Sequence, residues 1–140
     1  MNDLTKVYPL TLFLVLSLWS CKNKDDCCVL FPDLIGQEWL SVSIQEGQNI
    51  DNAPHDLLLT FSSDSAYSLQ LDVNDCGGDL VLDQRIGNIQ FISTLCTEAC
   101  CDSDYAMHLK SFLSEVDRYE LTIQELTLFK GNHQARFKIK

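Results

Sequence analysis

Only one stretch of this chain repeats its apolar residues with the period of a helix. Tyr105, Leu109, Phe112, Leu113 and Val116 fall at i, i+4, i+7, i+8 and i+11, a single amphipathic stripe that predicts a helix over residues 102–116. Ser103 or Asp102 is placed to cap it, and Asp104 suits the positive end of its dipole. Elsewhere short alternating runs predict strands over residues 39–44, 57–61, 67–73, 80–82, 89–92, 118–123, 125–129 and 134–139. Gly131 predicts a hairpin turn between the last two, with His133 exposed in it. Residues 72–79 read as turn chemistry, with Gly77 and Gly78 free to take positive φ. The predicted fold is α+β: a compact β-rich domain of about eight short strands with one helix. The helix stripe is expected across the concave face of the sheet, closing a core with Trp39, Phe61 and Phe137.

The N-terminus reads differently from the rest. An apolar run from Val7 to Leu18 follows Lys6 and stops at Leu18-Trp19-Ser20-Cys21, after which Lys22-Asn23-Lys24-Asp25-Asp26 is charged. The run is too short to span a bilayer, which takes about 20 apolar residues, and has the form of a secretory signal. With cysteine where cleavage falls, it resembles the lipobox of bacterial lipoproteins, although Trp19 is bulkier than the residue usual at its position. The resemblance implies a signal peptide over residues 1–20, lipidation at Cys21, a polar tether over residues 21–33 and a domain over residues 34–140. It makes the membrane a partner through the lipid anchor, since two or more acyl chains anchor stably where one does not. Lys24-Asp25-Asp26 resembles the acidic signal that sends some lipoproteins to the outer face of the outer membrane. The competing readings are cleavage elsewhere or an uncleaved anchor.

A net charge of −10, with ten scattered Lys and Arg, argues against nucleic acid as a partner. Beyond Cys21 there are six cysteines, Cys27, Cys28, Cys76, Cys96, Cys100 and Cys101, an even number that in a short exported chain implies disulfides. Adjacent cysteines bond each other rarely, so the pairs Cys27-Cys28 and Cys100-Cys101 are expected to bridge elsewhere. The specific expectation is Cys76 to Cys100 or Cys101, tying a turn to the helix start. A zinc site is disfavoured, because the cysteines lack CxxC pairs and His55, His108 and His133 lie far apart. One calcium-loop pattern stands out, with Asp72, Asn74, Gly77 and Asp83 at positions 1, 3, 6 and 12. Its position 5 is Cys76 and its flanks read as strands, so a plain turn with surface carboxylates is the simpler reading.

No nucleophile elbow, phosphate loop or His-Glu-x-x-His occurs in the sequence. His55 or His108 is available for a Ser-His-Asp set, but most sequences offer as much. The carboxylates Asp102 and Asp104 are accounted for by the helix N-terminus.

Several short motifs together resemble the META domain of the HslJ-type heat-shock lipoproteins. They are Leu34, Gly36 and Trp39, then Leu59-Thr60-Phe61, then Asp75-Cys76-Gly77 where the family has Gly-Cys-Asn. Thr97-Glu98-Ala99-Cys100-Cys101 resembles the family's Thr-x-x-Ala-Cys segment. Phe112-Leu113, Val116 and Tyr119 follow its helix-to-strand spacing, and Leu126-Thr127-Leu128 its late strand. The resemblance implies a non-catalytic envelope domain without cofactor, linked to stress tolerance and to a protein partner. The other function class is a disulfide-stapled module that binds a ligand or inhibits an enzyme. An exposed apolar groove among Trp39, Tyr67 and Tyr105 would favour that second class.

Overall fold

The computed structural model describes residues 33–140; Cys21, Cys27, Cys28, the expected signal peptide and nearly all of the expected tether lie outside the described residues. Ten strands and one helix occur among those described. They are β1 (Glu38–Glu46), β2 (Asn49–Asn52), β3 (Leu58–Phe61), β4 (Ala66–Gln70), β5 (Asp75–Asp83), β6 (Asn88–Phe91), β7 (Leu95–Cys96), α1 (Asp104–Leu113), β8 (Arg118–Leu121), β9 (Glu125–Lys130) and β10 (His133–Ile139).

Eight of the strands form a ring in the order β1-β3-β4-β5-β6-β8-β9-β10, and β10 pairs back onto β1 from Trp39↔Ile139 to Gln45↔Gln134. The sheet is therefore a closed, mostly β barrel of the expected eight main strands and one helix, and α+β describes it only loosely. Closure gives the first and last strands of the ring a partner each and removes exposed edges that an open sheet of this size would keep. β2 extends from β1, and β7 pairs with β5. The ring is thinnest between β6 and β8, joined by the single pair Asn88↔Arg118.

Alternation fills the interior. Leu59 and Phe61, Tyr67 and Leu69, Ile89 and Phe91, Leu126 and Leu128, and Ala135 and Phe137 are buried at every second position. On β1 the alternation slips: the register shifts between Ser41 and Ser43, and Ser43 and Ile44 are buried in succession. Serines so placed need partners. Ser41 Oγ is 2.6 Å from the Tyr105 hydroxyl, and Ser43 Oγ accepts from Arg136 Nε at 3.3 Å.

The helix has the stripe expected of it. Tyr105, Leu109, Phe112, Leu113 and Val116 are all buried and belong to one core with Trp39, Phe61 and Phe137. It is shorter than expected at both ends; of the two expected caps Ser103 serves, its Oγ accepting from the Ala106 N–H at 3.2 Å. At the other end the Val116 N–H bonds the Leu113 carbonyl in a further turn, which brings Val116 into the core outside the helix proper.

The glycine pair is where the strand prediction failed. Gly77 and Gly78 lie inside β5, which pairs with β4 from Asp75 to Asp79, and neither has positive φ. Their lack of a side chain serves close approach instead. A Cβ on Gly78 would collide with the Ser93 carbonyl, and one on Gly77 would lie 3.1 Å from the Tyr67 carbonyl.

Candidate functional site

The most organised polar site joins the turn after β4 to the segment that leads into α1. Asn74, 7% exposed, is its centre. Its Oδ1 accepts from Thr97 Oγ1 at 3.0 Å and from the Ala99 N–H at 2.8 Å. Its Nδ2 donates to the Ala99 carbonyl at 2.8 Å and to Asp102 Oδ2 at 2.7 Å. Asp102 Oδ1 in turn accepts the N–H groups of Val73 at 2.9 Å and Asn74 at 3.2 Å. Asp72 completes the clamp, accepting the Ser103 N–H on Oδ2 at 2.8 Å.

This network sets the charge of Asp102. Burial pushes its carboxyl up, but the donors from the Asn74 side chain and from the Val73 and Asn74 backbone, with Lys110 nearby, outweigh that and hold it below the usual carboxylate range. Every polar atom of the Asn74 amide and both Asp102 oxygens are engaged by protein. The arrangement orders two loops rather than offering open valences.

The calcium-loop alternative fails on this geometry. Asp72 and Asp83 stand beyond and at the two ends of the β5 region, whose nine residues in extended conformation span roughly 27 Å at about 3.4 Å each. Asn74 spends its oxygen on Thr97 and Ala99. Extended backbone at Cys76 and Gly77 replaces the tight turn that such a loop needs.

The disulfide expectation is also corrected. Cys76 bonds Cys96, its partner across the β5–β7 ladder, with a Cα–Cα distance of 4.0 Å. So short a distance belongs to a cross-strand position whose own backbone groups do not pair with each other; the flanking Thr97 N–H bonds the Asp75 carbonyl. Cys100 and Cys101 are exposed and bonded to no described cysteine. A strand that sequence patterning missed explains the error: β7 has two residues, too few for alternation to register; the exposed four-residue β2 was missed as well.

The histidines separate. His55 lines a shallow hollow of about 240 Å³ with Pro54, Asp56 and Lys138, below the size of ordinary small-molecule pockets. His108 and His133 meet around one carboxylate. His108 Nε2 is 3.6 Å from Glu46 Oε2, His133 Nδ1 is 3.7 Å from Glu46 Oε1, and Asp51 Oδ2 is 3.6 Å from His108 Nδ1. His133 opens β10 rather than sitting in the turn, and its Nδ1 is buried without a hydrogen-bond partner. No three of these donors surround a common point suited to a metal among the described residues. Asp104 lies in the first turn of α1 as expected. Trp39, Tyr67 and Tyr105 are buried, so no open groove forms among them.

An eight-stranded barrel filled by side chains and joined to one helix defines a class of small β-rich domains that position loops on a rigid frame. A family model, the META domain, matches residues 32–140, and the chain belongs to that family. It is similar in fold to a protein from Burkholderia xenovorans solved by NMR, at 17% identity and a TM-score of 0.63, over 76% of this chain and 83% of that one. It is also similar to a DUF4847 family protein from Bacteroides vulgatus, a crystal structure, at 12% identity and a TM-score of 0.58, over 76% of this chain and 94% of that one. No curated protein sequence matches the chain.

Proposed function

We propose that the chain is a bacterial lipoprotein, anchored in the cell envelope through Cys21, whose META domain serves a stress-tolerance or partner-binding role without catalysis. The Cys76–Cys96 disulfide carries this reading. Disulfides persist in exported proteins and are rare in the cytosol, which fits the signal-like run before Cys21. The acidic run after Cys21 supports delivery to the outer membrane, with the domain facing outward. Two features support a binding scaffold over an enzyme. The barrel interior is packed with apolar side chains, and the most organised polar cluster is consumed in holding its own loops. The test is labelled palmitate fed to cells expressing the wild type and Cys21→Ser. Label in the wild-type protein alone, with the variant released from membranes or left uncleaved, is the expected result. Equal labelling of both would sink the anchor.

A further inference from the structure

The segment held by the clamp carries two thiols that nothing described so far uses. Ala99 is bonded to Asn74 through both its N–H and its carbonyl, Asp102 through its carboxylate, and Ser103 to Asp72 through its N–H. Between these fixed points Cys100 and Cys101 are exposed. Cys101 has φ +84°, the one positive φ outside glycine among the described residues. A non-glycine residue keeps such a conformation only where its surroundings impose it, and here the clamp on either side does so.

We propose that Cys100 and Cys101 form a two-thiol capture site for soft, thiophilic ligands, such as trivalent metalloids, that a pair of sulfurs can share. Thiolate sulfur is the protein donor that such acids prefer, and two donors on one fixed frame hold a ligand far better than either alone. The site supplies two protein donors only, so it captures ligands that need no third. In the free protein the adjacent Cys100 thiol, with the charge of Asp102, holds the Cys101 thiol above its usual range. With phenylarsine oxide as the ligand, two S–As bonds form and the arsenic–oxygen bond breaks. The oxygen leaves with both thiol protons as one water, and arsenic stays trivalent, so no oxidant is required. The inference stands apart from the anchor at Cys21, because it concerns only the loop before α1.

The test titrates phenylarsine oxide into the full chain purified without reductant, with peptide mapping of the adduct. One arsenical on the peptide carrying Cys100 and Cys101 is expected. It should be retained in the double variant Cys27→Ser/Cys28→Ser and weakened about 100-fold or more in Cys100→Ser and in Cys101→Ser, the loss expected when chelation falls to a single donor. Both positions are exposed, so these single variants should keep the wild-type melting temperature. Undiminished capture by either single variant would overturn the proposal. So would finding Cys100 or Cys101 in the isolated protein already in a disulfide, with each other or with Cys27 or Cys28.

Discussion

The barrel and the loop clamp hold α1 by opposite means. Along its length, apolar side chains bury it against the barrel: Phe112, Leu109 and Leu113 are at most 1% exposed. Ahead of its first turn, hydrogen bonds do the holding, through Asn74, Asp102 and Asp72 at 2.7–3.2 Å. The apolar side tolerates imprecision, since dispersion and water exclusion act in all directions. The polar side depends on each donor meeting its acceptor, because a buried polar group left unpaired costs about 1–3 kcal/mol.

That difference ranks the expected damage. Phe112→Ala should cost about 3–5 kcal/mol, a large fraction of the stability of so small a domain, and bring it close to unfolding in urea. If the variant keeps its melting temperature and loses only a partner, the helix face is a docking surface and the apolar half of the comparison fails. Next comes the Cys76–Cys96 bond, which closes a loop with a sequence separation of 20. Its reduction, or Cys96→Ser, should lower stability by about 3 kcal/mol in the chain-entropy account. Unchanged melting with and without reductant would show that the β5–β7 pairing holds without the link.

Asn74→Ala should cost about 2 kcal/mol, since Thr97, Ala99 and Asp102 all lose the same partner. Thermal melts of the variant should show this loss while the near-UV signal of the buried aromatic rings persists. Asp102 adds a pH signature. Its carboxyl is held below the usual range in the folded state, so its contribution is complete above the unfolded value near 3.9 and disappears as pH falls through the lower, folded value. The difference in melting temperature between wild type and Asp102→Asn should therefore be steady from pH 7 to about 5 and shrink below about 4. A difference that widens on acidification would contradict the clamp.

The two regions were not equally legible. The helix stripe, the hairpin at Gly131 and the strands over residues 39–44 and 125–129 announce themselves through local period, because each residue's burial is decided by its own neighbours in sequence. Barrel closure is not local: Trp39 pairs with Ile139 across the whole domain, and no window of sequence contains both. The clamp was invisible for the same reason. Local pattern offers Asn74 only as a turn residue or a disfavoured calcium position, and Asp102 as a cap, yet the two meet across a sequence separation of 28. Gly77 and Gly78 misled because glycine marks close approach as readily as a turn, and only the position of Ser93 tells which. The disulfide was misplaced because β7 is too short to announce itself, so Cys96 had no strand to bring it opposite Cys76.

The smallest effect lies where the two regions meet. Ser103 serves both: its Oγ accepts the Ala106 N–H in the first turn of α1, and its backbone N–H donates to Asp72 in the clamp. Ser103→Ala removes only the first of these, because the backbone donor is kept, and should cost about 1 kcal/mol, the usual loss of an N-cap. Ser103→Asp restores a cap oxygen and places a negative charge at the positive end of the helix dipole. It also brings that charge toward Asp102 and Asp104, so it should recover most but not all of the loss at low ionic strength, and more of it in high salt. Melting curves of the two variants at low and high salt read this out. If Ser103→Ala costs nothing, the clamp alone fixes the helix start, and the side-chain cap is redundant with the Asp72 bond.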